Sequence, residues 1–310
     1  HEFTLSKAKE DRLNLMKATN CNFSQIYALY MDEKHTTLAT IDEQSKAKAD
    51  LEFTDETGVT HRLWIETDEE IIAKLVADFA DRKLYIADGH HRYETALNYR
   101  NYCRENGISK PGDPQDFQMI YLVDMEHPGL VVFPTHRLVR DLPNFDKEAV
   151  LEKCSEFFYI DEKEGTDTME EDLKKLYDEG KKAFGFYCGK GEWFLLTLKN
   201  IDIMSQMLPN VSKASQSLDV SVLHTLILEK IFGIDKENMA KQINLTYTKF
   251  FTEAIDGVDK GEFQCSFVLN PTRVTEIRDV AAAGEKMPQK STYFYPKMIT
   301  GMVMNNLGVD

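Results

Sequence analysis

Two stretches restrict the architecture before any other feature does. "ADLEFTDETGVTHRLWIET" holds two alternating apolar and polar runs joined at Glu56, Thr57 and Gly58. "AFGFYCGKGEWFLLTL" repeats the pattern, with Gly189 and Gly191 at the tip. Strands that return through so few residues pair antiparallel, so both segments read as β-hairpins. "FQMIYLVDMEHPGLVVFPTHRLV" adds two apolar strands around a His-Pro-Gly turn. Helical spacing marks residues 11–18, which lead into a strand over 25–30. "DEEIIAKLVADFAD" reads as a helix from an Asp68 cap, and "SLDVSVLHTLILEKIFGI" as one capped by Ser217 or Asp219. Residues 141–182 hold two charged helical patterns, read as a solvated face. "CSFVLNPT" is a strand, "VTEIRDVAAAGEK" a helix and "MPQKSTYFYPK" a proline-bounded loop. The sum is a mixed α+β chain, which a purely parallel doubly wound sheet does not fit.

Composition narrows the class of function. The chain has 310 residues and a formal net charge of -15. Its length favours two domains, and its charge argues against nucleic-acid partners, whose phosphates call for lysine and arginine. Cys21, Cys103, Cys154, Cys188 and Cys265 are odd in number, scattered, and include no Cys-x-x-Cys pair. They read as reduced thiols of a cytoplasmic protein. No apolar run approaches the roughly 18 residues of a membrane span, and "HEFTLSKAKEDR" lacks a signal-peptide core.

The chemistry gathers in "KLYIADGHHRYETALNYR", where an apolar strand meets a helix with Tyr93, Ala96, Leu97 and Arg100 at helical spacing. The first amides of a helix lack intrahelical partners and carry partial positive charge, which suits a phosphate. Gly89 allows close backbone approach or a positive φ. Arg92 offers a forked, charge-assisted contact to phosphate oxygens. Asp88 is a candidate magnesium ligand or proton acceptor, and His90 and His91 supply donors that titrate near neutral pH. The plain alternative makes Asp88 a cap, Gly89 a turn residue and the histidines surface groups.

Two further segments carry basic and hydroxyl groups. "VVFPTHRLV" presents Thr135, His136 and Arg137 directly after apolar residues. "GEKMPQKSTYFYPK" gathers Lys286, Lys290 and Lys297 with Ser291 and Thr292. Ammonium groups and hydroxyls together suit anion sites, although any single lysine reads equally well as solvated. Neither a Walker phosphate loop nor a Gly-x-Gly-x-x-Gly fingerprint occurs. His224 reads as a core histidine within an apolar helix that could contribute to a homodimer. Asp219 reads as a cap, and Trp64 and Trp193 as core residues in strands. Tyr293 and Tyr295 are candidates to stack on a base.

"DGHHRYETAL", "GLVVFPTHR", "LDVSVLHTLILEK" and "GEKMPQKSTYFYPK" together resemble DUF family 1015, a group of uncharacterised bacterial and archaeal proteins. The resemblance covers essentially the whole chain. It implies a relation to the ParB/sulfiredoxin superfamily, which includes an ADP-dependent free-serine kinase with the same five-residue string. On that resemblance Asp88, Gly89, His90, His91 and Arg92 bind nucleotide phosphates and magnesium. Sulfiredoxin's catalytic cysteine is replaced by His90, which sets aside sulfinic-acid reduction. The resemblance further implies a leading segment of roughly a hundred residues before His1, so "HEFT" reads as interior. It also makes Glu2 a candidate catalytic acid, with Lys9 and Arg12 as further anion contacts.

The expected organisation is a ParB/sulfiredoxin-like phosphate-binding domain over 1–140 and a second α+β region over 141–310. The lysine loop 284–297 of the latter is expected to return to the site. The expected function is nucleotide-dependent phosphoryl transfer to a small hydroxylated metabolite, with magnesium and ADP or ATP. Asp88, His90, His91 and Glu2 would be catalytic, and Gly89, Arg92, His136, Arg137, Lys286, Lys290, Ser291 and Thr292 would hold phosphate. One alternative is a nucleotide-binding switch without chemistry. Another is a metal-dependent hydrolase built on Asp88, His90, His91 and His136.

Overall fold

The computed structural model describes residues 6–165 and 167–308, and it divides the chain into two compact units. The division falls between Leu130 and Val131, ten residues before the boundary expected from sequence, and residues 298–308 belong to the first unit.

The first unit opens with helix α1 (Ser6–Thr19), the short strand β1 (Cys21–Asn22) and strand β2 (Ile26–Tyr30). Helix α2 (Thr36–Gln44), absent from the sequence reading, precedes the expected hairpin of β3 (Leu51–Thr54) and β4 (Thr60–Leu63). Trp64 lies just past β4 and donates from its indole to the Ala47 carbonyl, so it is not a strand residue. Helix α3 (Glu69–Phe79) starts where Asp68 accepts the amides of Glu70 (2.8 Å) and Ile71 (3.2 Å), as its sequence predicts. Strand β5 (Tyr85–Asp88) then enters helix α4 (His90–Glu105), and β6 (Ile120–Asp124) completes a sheet ordered β5-β2-β6. Its centre, β2, is buried at every position, which explains the unbroken apolar run "IYALY". β2 pairs antiparallel with β5 and parallel with β6. Helix α4 packs on α1 around Met16, Tyr99, Cys103 and Leu307.

The second unit is built on a six-stranded antiparallel sheet. Strand β7 (Val131–Phe133) stands outside it and is followed at once by β8 (His136–Val139). The two strands foreseen around the His-Pro-Gly turn, β6 and β7, therefore belong to different units and do not pair with each other. Helix α5 (Lys147–Cys154), strand β9 (Phe158–Glu164) and helix α6 (Met169–Asp178) fill the charged stretch, with β9 unforeseen. The hairpin β10 (Ala183–Tyr187) and β11 (Glu192–Leu198) forms as expected. After α7 (Ile203–Met207), α8 (Lys213–Gln216) and α9 (Asp219–Val222), the chain winds as a π-helix over Leu223–Glu229. Then come α10 (Lys236–Lys241), β12 (Leu245–Thr248), α11 (Phe251–Asp259), β13 (Cys265–Val268) and α12 (Val274–Ala282). Strand β14 (Tyr293–Tyr295) pairs with β7 inside the segment read as a loop. Finally, β15 (Asn305–Asn306) pairs with β1 of the first unit's own segment.

The large sheet runs β12-β8-β13-β10-β11-β9, antiparallel throughout. One face packs on the π-helix through Phe184, Phe186, Phe267, Leu223 and Leu226. The other packs on α6 and α11 through Trp193, Val268, Met169 and Ala254. Because both faces are covered, the hairpin strands β10 and β11 read as nearly continuous apolar runs. Gly185 makes the second face possible: a Cβ there would lie 2.6 Å from the Val268 side chain and 2.9 Å from Met169 Sδ. Helix α6 buries Met169, Leu173 and Tyr177, so it is amphipathic and not simply a solvated face. The apolar helix around His224 is likewise core, which removes it as a dimer surface. All five cysteines are unpaired.

Candidate functional site

The β5–α4 corner turns on Gly89, whose φ of +94° lies in the left-handed region that side chains with a Cβ rarely adopt. That turn ends the strand at Asp88 and starts the helix at His90, with no side chain capping the helix. Its first amides are oriented outward along the axis of a 16-residue helix. Gly89 N–H donates to Asp88 Oδ1 at 2.6 Å. The Arg92 guanidinium folds back over the turn, so that a Cβ on Gly89 would sit 2.9 Å from Arg92 Nη2. Arg92 Nη1 donates to Ser24 Oγ at 2.8 Å, and Nη2 lies 3.8 Å from Asp88 Oδ1. The corner thus holds a guanidinium in front of a helix N-terminus, steadied by a hydroxyl and a carboxylate.

Electrostatics separate the two histidines. His90 is 7% exposed, and burial pulls its imidazole down to about 4 against the opposing pull of Asp88. It is therefore neutral at physiological pH and a weak base. His91 is half-buried on the first turn of α4, with its carbonyl accepting the Thr95 hydroxyl at 2.6 Å. Burial lowers the Arg92 pKa, with Asp88 pulling the other way and Arg12 adding positive charge nearby. Lys9 is ion-paired with Glu94 at 2.8 Å. No sequence motif marks Ser24, which lies 68 positions from Arg92 in a bend. Glu2 lies outside the described residues.

The remaining residues expected to hold phosphate lie in the second unit. His136 and Arg137 do not end a strand but begin β8, 2% and 0% exposed. Burial pushes His136 down to about 4, and its Nδ1 accepts the Leu269 amide at 3.4 Å. Arg137 donates to the carbonyls of Thr135 and Lys290 and meets His224 Nε2 at 3.1 Å. Ser291 is buried, its hydroxyl bonded to the Pro288 carbonyl. Thr292 is half-buried, whereas Lys286 and Lys290 are exposed, the latter with φ +55°. Asp219 caps no helix: it is a buried carboxylate 2.9 Å from Lys182 Nζ. Tyr293 and Tyr295 form an aromatic face with Phe133, over which Lys249 Nζ lies 4.4 Å from the Tyr293 ring centre.

Among the described residues, no three or more His, Cys, Asp or Glu side chains are arranged to hold a metal ion. Of the four residues named for the hydrolase reading, Asp88, His90 and His91 belong to the first unit and His136 to the second. Nor is any helix of the described residues long and apolar enough to cross a membrane.

The family described as "protein of unknown function (DUF1015)" matches residues 1–221. The chain belongs to this family. Among solved structures, it is similar to a conserved hypothetical protein from Pyrococcus furiosus, with 15% identity and a TM-score of 0.45, covering 99% of this chain and 90% of that one. It is also similar to a free serine kinase in complex with AMP, with 14% identity and a TM-score of 0.45. A mutant of a free serine kinase in complex with ADP gives 12% and 0.45, and each kinase comparison covers 95% of this chain and 82% of the other. No curated protein matches.

Proposed function

We propose that the β5–α4 corner binds the phosphates of ADP or ATP and that the protein transfers a phosphoryl group between nucleotide and a small hydroxylated metabolite. The observation that carries this reading is the left-handed Gly89, which lets the Arg92 guanidinium close over the turn in front of α4. A bare helix N-terminus attracts anions weakly; a fixed guanidinium beside it adds charge-assisted, directional donors. Ser24 accepts from Arg92 and so keeps its own hydroxyl proton to offer a phosphate oxygen.

Asp88 fits magnesium as a lone carboxylate ligand, because this ion keeps several waters and takes other ligands from substrate phosphates. Magnesium bound there would neutralise phosphate charge as it develops. His90, held neutral and weakly basic, is a poor proton acceptor. The hydroxyl proton is therefore assigned to Asp88 or to His91.

The test is direct. Incubation with labelled ADP or ATP, magnesium and a panel of hydroxylated metabolites should yield a phosphorylated product. Binding without product would leave a nucleotide switch, and absence of both would remove the reading. In parallel, Arg92→Ala should weaken nucleotide binding more than fivefold, about 1 kcal/mol.

A further inference from the structure

The second unit encloses a positive charge that no carboxylate reaches among the described residues. Arg137 is 0% exposed, and among the described residues it forms no ion pair. Its acceptors are neutral: the carbonyls of Thr135 and Lys290, and His224 Nε2. The Tyr247 ring centre lies 5.3 Å from the guanidinium carbon. Arg137 Nε and the neighbouring Thr135 hydroxyl, both buried, find no acceptor or donor among the described residues. Burial draws the Arg137 pKa down only to about 10, so the group remains charged at neutral pH. Neutral carbonyls replace only part of the hydration that such a charge loses, and buried guanidinium groups ordinarily meet carboxylate or phosphate.

The covering segment is a specific turn. Nε and Nη2 form one edge of the guanidinium, the pair of donors that matches two oxygens of an oxyanion. The Lys290 carbonyl occupies Nη2 at 3.0 Å. Lys290 holds that carbonyl in place through a left-handed backbone, φ +55°, which lysine adopts at a cost. The Ser291 hydroxyl ties the turn to the Pro288 carbonyl, and Thr272 ties it to the rest of the unit through the Ser291 carbonyl at 3.0 Å.

We propose that Arg137 is the receptor for a small oxyanion, a phosphate or carboxylate group, and that the turn 288–291 is its cover. The entering anion displaces the Lys290 carbonyl from Nη2 and engages Nε as well, exchanging one neutral acceptor for two charged oxygens. The Thr135 carbonyl accepts from the same guanidinium, and its buried hydroxyl, without a partner among the described residues, is assigned as a further donor to the anion. This site shares no residue with the β5–α4 corner and does not depend on the activity proposed for it.

The test uses the intact protein, with inorganic phosphate and malonate as probes at constant ionic strength. The Arg137 Nε–H resonance, assigned by its loss in Arg137→Lys, should shift saturably with one of the two probes. The responding probe identifies the source of the oxyanion. The same probe should raise the unfolding temperature, and Arg137→Lys should increase the concentration for half-effect at least tenfold, while Arg92→Ala leaves the concentration dependence of the Arg137 Nε–H shift unchanged. A resonance unmoved at saturating amounts of both probes would overturn the proposal. So would stabilisation that vanishes in Arg92→Ala and survives in Arg137→Lys. Should Arg137→Lys fail to fold, Ser291→Ala keeps the receptor and loosens its cover. It should lower the half-saturating concentration several-fold, and an unchanged value would count against the cover.

Discussion

Lys182 Nζ sits 2.9 Å from Asp219 Oδ1, joining the start of β10 to the start of α9. Glu276 of α12 approaches the same ammonium at 3.5 Å, and the Tyr177 hydroxyl of α6 donates to Glu276 at 2.5 Å. Four elements of the second unit therefore meet at one lysine. Burial pushes the Asp219 carboxyl up to about 6, with Glu276 adding to the rise and Lys182 and Arg273 opposing it.

That relationship fixes a sign. A carboxyl whose folded pKa is raised binds its proton more tightly in the folded state, so its contribution to stability falls as pH rises from about 4 to 6. Asp219→Asn removes the titration while Lys182 keeps Glu276. Relative to the unsubstituted protein, the variant should gain about 2 kcal/mol in denaturant unfolding between pH 4 and pH 7. Parallel pH profiles for the two proteins would show that Asp219 does not titrate in this window.

Gly89→Ala tests the corner's geometry. The side chain of Arg92 can move aside, but alanine at φ +94° remains strained. The expected cost is about 1–2 kcal/mol in chemical denaturation, with nucleotide affinity falling alongside it. A variant of unchanged stability and affinity would mean that the left-handed turn is dispensable.

Asp68 carries two amides at the start of α3. Asp68→Ala should cost about 1 kcal/mol, and hydrogen exchange should quicken at Glu70 and Ile71 in particular. Asp68→Asn or Asp68→Ser should restore most of the protection, since either side chain can accept the same amides.

His224 presents a more selective case. Arginine can only donate, so His224 Nε2 accepts and the ring proton resides on Nδ1. Burial first, and then the Arg137 charge, keep this imidazole well below its ordinary range, hence neutral near pH 7. His224→Leu removes the acceptor and should cost about 2 kcal/mol, whereas His224→Gln should recover part of that loss. Equal losses in urea unfolding would assign His224 to shape alone.

The parts of this fold that could be read in advance are those decided by neighbours in sequence. The Asp68 cap, the hairpins, the strand into Asp88 and the helix after it all follow from residues within a turn of one another. The glycine-and-arginine corner was legible for the same reason, since Gly89 and Arg92 are one helical turn apart. Ser24 was not, because nothing in "CNFSQ" signals a partner 68 positions away. The segment "MPQKSTYFYPK" reads as a loop because three residues are too few for a periodic pattern; pairing with β7 makes them a strand. Asp219 looked like a cap because it precedes an apolar helix, and only the approach of Lys182 makes it half of an ion pair.

By itself the sequence determined the mixed α+β class, the antiparallel hairpins and the polar corner at residues 88–92, all set by local backbone preference and short-range periodicity. Tertiary structure alone decided that His136 and Arg137 are interior residues. An arginine after an apolar run reads as exposed because its charge favours water. It is enclosed here because β12, β13, the π-helix and the turn at Lys290, each distant along the chain, close around it. Burial is a property of the assembled contacts, and no stretch of "FPTHRLV" contains them.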